Sequence, residues 1–295
     1  MSFRAIVITK QSKLEFWQKY LVIRTKEETK RIYLDEISIL MIEHTAVCIT
    51  AVLLQELTNR NIDVIFCDNK RNPCSNLIPF YGSYDSSEKV NIQISWDEKN
   101  KIKIWTELVK EKVKKQGELL ELLKIDTKEY FNTIINEIEL NDPTNIEAQS
   151  AKKYFHLLFS NKFTRTSDDA INSALNYGYM VMLSLVNRVV TSKGYLTQLG
   201  LHHSNIRNQF NLSCDLMEPL RPIVDKEVIS LDIKDEFGSE EKYFLLKMFE
   251  KKFLIKNKKY SLEDTVDIYC SSIFSALKNK DLSEIQFYSF AYGKD

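Results

Sequence analysis

Up to about residue 80 the apolar residues come in short runs of four or so, each followed by a polar break. Ala5-Ile6-Val7-Ile8, Leu14-Glu15-Phe16-Trp17, Tyr20-Leu21-Val22-Ile23 and Arg31-Ile32-Tyr33-Leu34 are rich in β-branched and aromatic side chains. Such runs predict strands. Ile37-Ser38-Ile39-Leu40-Met41-Ile42 fits a more buried strand, and Asp63-Val64-Ile65-Phe66-Cys67 another, followed by a turn at Asn69-Lys70-Arg71-Asn72-Pro73. Between them Thr45 reads as a helix start, and Ala46 to about Leu57 is apolar all round, which predicts a well-buried helix.

Beyond residue 82 the period changes. Ile102, Ile104, Trp105, Leu108, Val109, Val113, Gln116, Leu119 and Leu120 fall on one face of a long helix, with lysines 99, 101, 103, 110, 112, 114 and 115 covering the rest. Further helices are expected at about 127–138, 143–159, 168–192, 213–229, 240–256 and 262–278. The expected fold class is therefore α+β: an N-terminal β-rich domain over 1–82, a linker at 83–88 and a larger all-α domain over 89–295.

Composition narrows the function classes. With 44% hydrophobic and 28% charged residues the chain is a globular one. Lys plus Arg equals Asp plus Glu at 41 each, so net charge neither favours nor opposes a polyanionic partner. The five cysteines, without a C-x-x-C pair, form a reduced pattern with no catalytic signature. No apolar run reaches the roughly eighteen residues of a membrane span. The opening apolar run is too short for a signal peptide. The expected location is the cytoplasm.

Candidate chemistry concentrates between Asp142 and Pro222. Asp142-Pro143 reads as a helix opening, acid at the cap and proline at the first position, which puts Glu147 in the second turn. On its own Glu147 is an ordinary surface carboxylate near a helix start. His202 and His203 leave a helix for a loop. With no H-x-x-x-H or Cys partner they do not make a zinc site. Asp215 and Glu218 stand at i and i+3, so both project from one helix face and need a compensating cation, Arg221 or solvent. Pro219 and Pro222 break that helix and leave carbonyls unpaired. Arg165 lies near a helix start, a position suited to phosphate but also common on surfaces. The small and polar residues of Asn172-Ser173-Ala174-Leu175-Asn176-Tyr177-Gly178-Tyr179 point first to a close helix crossing. Lys247, Lys251, Lys252, Lys256, Lys258 and Lys259, interleaved with aromatic residues, make a solvated face or a nucleic-acid backbone patch. From the residues alone, a metal-dependent nuclease and a non-enzymatic helical DNA-binding adaptor stand about equal.

Taken in order, Glu147-Ala148-Gln149-Ser150-Ala151-Lys152-Lys153-Tyr154-Phe155, Asn172 to Tyr179, Gly200-Leu201-His202-His203 and Asp215-Leu216-Met217-Glu218-Pro219-Leu220-Arg221-Pro222-Ile223-Val224-Asp225 resemble the CRISPR-associated integrase family, Cas1. The β-then-α layout agrees. Length and the Asp-Leu-Met-Glu-Pro wording look most like its type II branch, II-A in particular. The resemblance implies a metal triad of Glu147, His203 and Glu218. His203 is chosen because the family's histidine is the fourth residue of a Gly-x-x-His segment, and Glu218 stands where aspartate is a common variant. Asp215 becomes a supporting residue, and Arg165, Asn172 and Tyr177 become candidate DNA contacts. It further implies Mg²⁺ or Mn²⁺ and attack by the 3′-hydroxyls of a short duplex on the phosphodiester at a CRISPR repeat border. The implied assembly is two homodimers, each formed through the β domain, bridged by a Cas2 dimer into a heterohexamer. In a II-A setting the ring-forming accessory protein and the effector nuclease are added partners.

Overall fold

The computed structural model describes residues 4–79, 83–233 and 236–290, and every structural statement concerns those residues. The first part contains β1 (Arg4–Ile8), β2 (Ser12–Trp17), β3 (Tyr20–Arg24), β4 (Thr29–Tyr33), β5 (Ile37–Ile42), β6 (Val47–Ile49), α1 (Ala51–Asn59), β7 (Asp63–Cys67) and β8 (Pro73–Asn76). Two four-stranded sheets result, ordered β4-β3-β2-β6 and β1-β5-β7-β8. β1, β5 and β7 are parallel, and β8 closes the sheet antiparallel to β7. All six residues of β5 are buried, as a parallel strand covered on both faces requires. Its side chains alternate. Ile39 and Met41 join the large core shared with the helices, while Leu40 and Ile42 join a smaller core with Leu14, Leu21, Leu53 and Leu57.

The helix expected from Thr45 is shorter and more one-sided than its composition suggests. Val47–Ile49 is a strand in register with β2, Ser12 opposite Val47 and Leu14 opposite Ile49. Thr50 is still extended, and α1 begins at Ala51 with Leu53 and Leu57 as its buried residues. β-branched Val47, Ile49 and Thr50 resist helical χ1 and find a sheet edge to pair with. The turn expected through Pro73 ends earlier, because Pro73 opens β8, a strand position where no N–H is needed.

The second part is mainly helical: α2 (Ser86–Ile94), α3 (Glu98–Leu122), α4 (Lys128–Asn136), α5 (Ile146–Leu158), α6 (Ala170–Ser192), α7 (Asn211–Met217), a 3₁₀ turn at Glu218–Leu220, α8 (Arg221–Ser230), α9 (Ser239–Leu246), β9 (Lys252–Ile255), β10 (Lys258–Ser261), α10 (Leu262–Asn279) and β11 (Ser289–Phe290). α2 starts inside the stretch 83–88 read as a linker, and Gly82 just before it lies outside the described residues. The helix expected over 240–256 ends at Leu246. A hairpin follows, turned at Lys256 and Asn257, both at positive φ, and β11 pairs with β9 on its other edge. Phe253 and Ile255 are buried while Lys252 is exposed, a two-residue period that the lysine-rich composition masks. No helix among the described residues is long and apolar enough to cross a membrane.

Long α3 and α6 organise the helical part. α3 packs against α4, α5, α8 and the 3₁₀ turn; α6 packs against α7, α8 and α10 and touches β7 and β8. A Cβ on Gly178 of α6 would lie 2.4 Å from Val224 Cγ1 of α8, so the small residues of α6 do mark a close crossing. Two lysines of α3 are not on its outer face: Lys112 is 8% exposed and Lys115 1%. Lys115 pairs with Glu111 and Glu118. Lys112 enters the candidate site.

Candidate active site

A cavity of about 260 Å³ opens where α3, α5, the loop before α7 and the 3₁₀ turn meet. Glu147, His202, His203, Glu218, Lys112, Arg165, Arg221 and Asp225 all line it.

Glu147 reaches the cavity from the first turn of α5, not the second. Pro143 and the left-handed backbone at Asn145 delay the helix to Ile146. Asp142 nonetheless caps it from outside, its carboxylate accepting the N–H of Ile146 at 2.8 Å and of Glu147 at 2.9 Å. The Lys112 ammonium donates to Glu147 Oε1 at 2.5 Å and to Glu218 Oε2 at 2.6 Å, so acids from separate elements meet at one cation.

Glu218 projects from the 3₁₀ turn that Pro219 imposes between α7 and α8. Arg221 grips it with Nε on Oε2 and Nη2 on Oε1, each at 2.9 Å. Burial opposes ionisation of Glu218, but Lys112 and Arg221 outweigh it and hold the carboxyl down at about 2. Burial likewise works against the Lys112 ammonium, and Glu218 and Glu147 reverse the balance and raise it.

Asp215 turns the other way, fully buried, and organises the histidine loop. Its carboxylate accepts the N–H of Leu201 at 2.6 Å and of His202 and His203 at 3.1 Å each, and it meets His203 Nδ1 at 2.5 Å. That bond raises the His203 pKa against the opposing effect of burial, with Glu218 and Glu147 adding to the rise. Gly200 makes the approach possible: a Cβ there would lie 2.4 Å from the His203 carbonyl and 2.7 Å from Asp215 Oδ2. His202 instead stacks flat on Trp105, centroids 4.5 Å apart.

The other expected residues separate. Arg165 lines the cavity and donates to Asn172 and, at 2.7 Å, to Asn176. Asn172 is 2% exposed and donates to the Thr164 carbonyl and to Asp169, so it holds Arg165 and its loop without facing the cavity. Tyr177 points elsewhere, its hydroxyl 3.0 Å from Met41 Sδ of β5.

Sequence reading passed over Lys112, although its place on the apolar stripe of α3, four residues after Leu108 and four before Gln116, was a visible signal. It also gave no role to Asp225 of α8. That buried carboxylate accepts the Tyr154 hydroxyl at 2.9 Å and the Tyr179 hydroxyl. Burial pushes it up to about 6, against the tyrosine hydrogen bonds and the charges of Arg221 and Arg165. The Arg221 guanidinium lies over the Tyr179 ring at 4.6 Å.

As the side chains stand, no three His, Cys, Asp or Glu among the described residues converge closely enough to hold a metal ion. The acids do converge, but on Lys112. Carboxylates that already gather round one cation, with two arginines beside them, make a small volume that suits a hard cation and a phosphate together.

Residues 6–257 match the family model for CRISPR associated protein Cas1. The chain is 31% identical over 291 residues to the CRISPR-associated endonuclease Cas1 of Neisseria meningitidis serogroup C (strain 8013), covering 97% of this chain and 96% of that protein. Among solved structures, a casposase bound to integration product superposes with a TM-score of 0.76 at 18% identity, covering 95% of this chain and 91% of that one. A chain of a Cas6-RT-Cas1–Cas2 complex gives 0.70 at 16% identity, with 99% of this chain and 36% of that one covered. The chain belongs to the CRISPR-associated Cas1 family.

Proposed function

We propose that this chain is the integrase of CRISPR adaptation, joining the 3′-hydroxyls of a short DNA duplex to the phosphodiester at a repeat border. The observation that carries this reading is the meeting of Glu147 and Glu218 around one cationic centre in a cavity that His203 also lines. The donor set suits Mg²⁺ or Mn²⁺: hard carboxylate oxygens, plus an imidazole whose Nδ1 is already engaged and whose Nε2 is the remaining donor. Glu147, Glu218 and His203 would hold the ion. When bound, it would supply Lewis acidity at the phosphate and ease ionisation of the attacking hydroxyl.

The protein's own residues have distinct tasks in this scheme. Asp215 fixes the His203 tautomer and ring. Arg221 keeps Glu218 ionised and orients both its oxygens. Arg165, braced by Asn172 and Asn176, offers positive charge to a DNA phosphate at the cavity rim. No side-chain nucleophile is required, because the DNA supplies its own hydroxyl.

The partners proposed are the duplex to be inserted, the CRISPR repeat, a second copy of this chain joined through the N-terminal sheets, and a Cas2 dimer that bridges two such homodimers into a heterohexamer in the cytoplasm. In a type II-A setting the ring-forming accessory protein and the effector nuclease join them. The similarity to a relative named as an endonuclease and to chains solved with integration product or with Cas2 supports this reading.

The test is strand transfer of a labelled duplex into a plasmid carrying one repeat, with Cas2 and Mg²⁺ or Mn²⁺, comparing wild type with His203→Ala. Joining at the repeat border that the variant loses while still binding DNA is the expected result. Joining by the variant at the wild-type rate would move the role to His202. Degradation without joining would replace integration by simple hydrolysis.

A further inference from the structure

Lys112 is the side chain that a triad of glutamate, histidine and glutamate does not account for. It projects from the middle of α3 with a buried stem, and its ammonium is within hydrogen-bond distance of both acids proposed as metal ligands. An ammonium has three donors and no acceptor, so two of its hydrogens already go to Glu147 and Glu218. A cation bridging the same oxygens would have to stand where this one stands. Buried Glu218 beside half-buried Glu147 is two like charges on one counter-charge, Arg221, once the ammonium between them is gone, which is unfavourable, and so is a buried ammonium that has lost both partners.

We infer that Lys112 is a tethered counter-cation: it holds Glu147 and Glu218 together before a metal arrives, and a divalent ion must displace it to be held. The inference rests on those acids being metal ligands. Its consequence is coupling. The displaced ammonium stays on a flexible four-carbon stem in a cavity of about 260 Å³, where a DNA phosphate is the partner that can receive it. Metal and DNA therefore favour each other through Lys112, each removing the penalty the other would face alone. Arg221 does not compete in the same way. It holds both oxygens of Glu218 side-on and is stacked against Tyr179, so it stays when Lys112 leaves.

The experiment is Mn²⁺ titration of the full chain at one fixed pH, reading free Mn²⁺ by electron paramagnetic resonance. Wild type is compared with Lys112→Met, which keeps an apolar stem and removes the charge, each with and without a short duplex ending in a 3′-hydroxyl. Expected is binding to the variant about tenfold tighter in the absence of DNA, and a smaller gain on adding DNA than wild type shows. A variant that binds Mn²⁺ no tighter than wild type overturns the role of Lys112 and leaves the metal reading intact. If neither protein takes up Mn²⁺, the metal reading fails and this inference with it.

A second measurement needs no variant. In wild type, acetylation of Lys112 by an amine-reactive reagent, read by mass spectrometry, should rise several-fold at saturating Mn²⁺. Lys115, still more buried and paired with Glu111 and Glu118, should stay unchanged and serves as the internal control. Labelling of Lys112 that Mn²⁺ does not increase overturns the displacement.

Discussion

His203 Nδ1 and Asp215 Oδ1 lie 2.5 Å apart, and this bond commits one ring nitrogen and leaves Nε2 as the only site for another partner. The same carboxylate takes three backbone N–H groups of the loop, so ring and backbone are fixed together. Replacing Asp215 by Asn keeps the shape but puts an amide where an anion is needed. Strand transfer and Mn²⁺ affinity should both fall roughly 10- to 100-fold, the usual effect of removing such a support. Circular dichroism should show an unchanged fold. Wild-type activity in Asp215→Asn would mean that the loop holds its shape without that charge.

Gly200 admits no side chain. Its missing Cβ would press on the His203 carbonyl and on Asp215 Oδ2. Gly200→Ala should destabilise the chain by about 1–3 kcal/mol in urea unfolding, in the range of other overpacking substitutions. Activity should drop further than stability alone explains, because the atoms displaced are those that position His203. A variant as stable and active as wild type would contradict the close approach.

Asp225 makes stability depend on pH in an unusual direction for an acid. Its folded-state pKa is raised to about 6 from 3.8, so the folded chain keeps a proton that the unfolded chain releases. The associated stability is fully present below about pH 4 and is lost as pH rises through about 6. A displacement of that size corresponds to roughly 3 kcal/mol. Asp225→Asn should remove this part of the decline. Asp63, also pushed up to about 6 by burial, should leave the rest of it in place. Unfolding midpoints between pH 4 and 7 check this; equal slopes in wild type and variant would refute the assignment.

Glu218 predicts the opposite sign in a lower window. Its folded pKa of about 2 lies below the ordinary 4.5, so its contribution is present above pH 4.5 and is lost as pH falls toward 2. Glu218→Gln should therefore flatten the acid limb of the stability profile while leaving the interval around pH 6 to Asp225. An acid limb that stays as steep in the variant would show that Lys112 and Arg221 do not hold this carboxylate ionised.

Tyr154→Phe removes one of two hydroxyls donated to Asp225 and leaves a buried oxygen unpaired. About 1–3 kcal/mol of stability at neutral pH should go with it. A change below about half a kcal/mol, the ordinary scatter of neutral substitutions, would show that Asp225 finds another donor.

Much of this molecule was legible along the chain because its signals are local. The strands from β1 to β5 and β7 follow from short β-branched runs, and α3 and α6 from long helical stripes. What was missed depended on partners distant in sequence. Val47–Ile49 is a strand because β2 offers its β-branched residues a parallel edge, and that edge is not visible from the segment itself. The β9–β10 hairpin was hidden by lysines that suit a helix surface equally well; Asn257 at its turn was the better clue. In the site, Glu147, His203, Asp215 and Glu218 were named from ordered motifs, and all border or support one cavity. Lys112 was read as surface because lysines usually are, and only the acids across the cavity explain its burial. Tyr177 was drawn toward the site by its neighbours, yet its side chain leaves α6 toward the sheet.

Between Asp215 and Asp225 the chain carries three acids that address three neighbours: the histidine loop, α3 and a tyrosine pair. The 3₁₀ turn at Glu218–Leu220 sets the angle between them. The segment therefore works as a key whose teeth are cut at set intervals. One inserted residue would rotate everything after it by about 100° and present each later tooth to the wrong lock. Length variation has no room within the eleven residues from Asp215 to Asp225 that index the site.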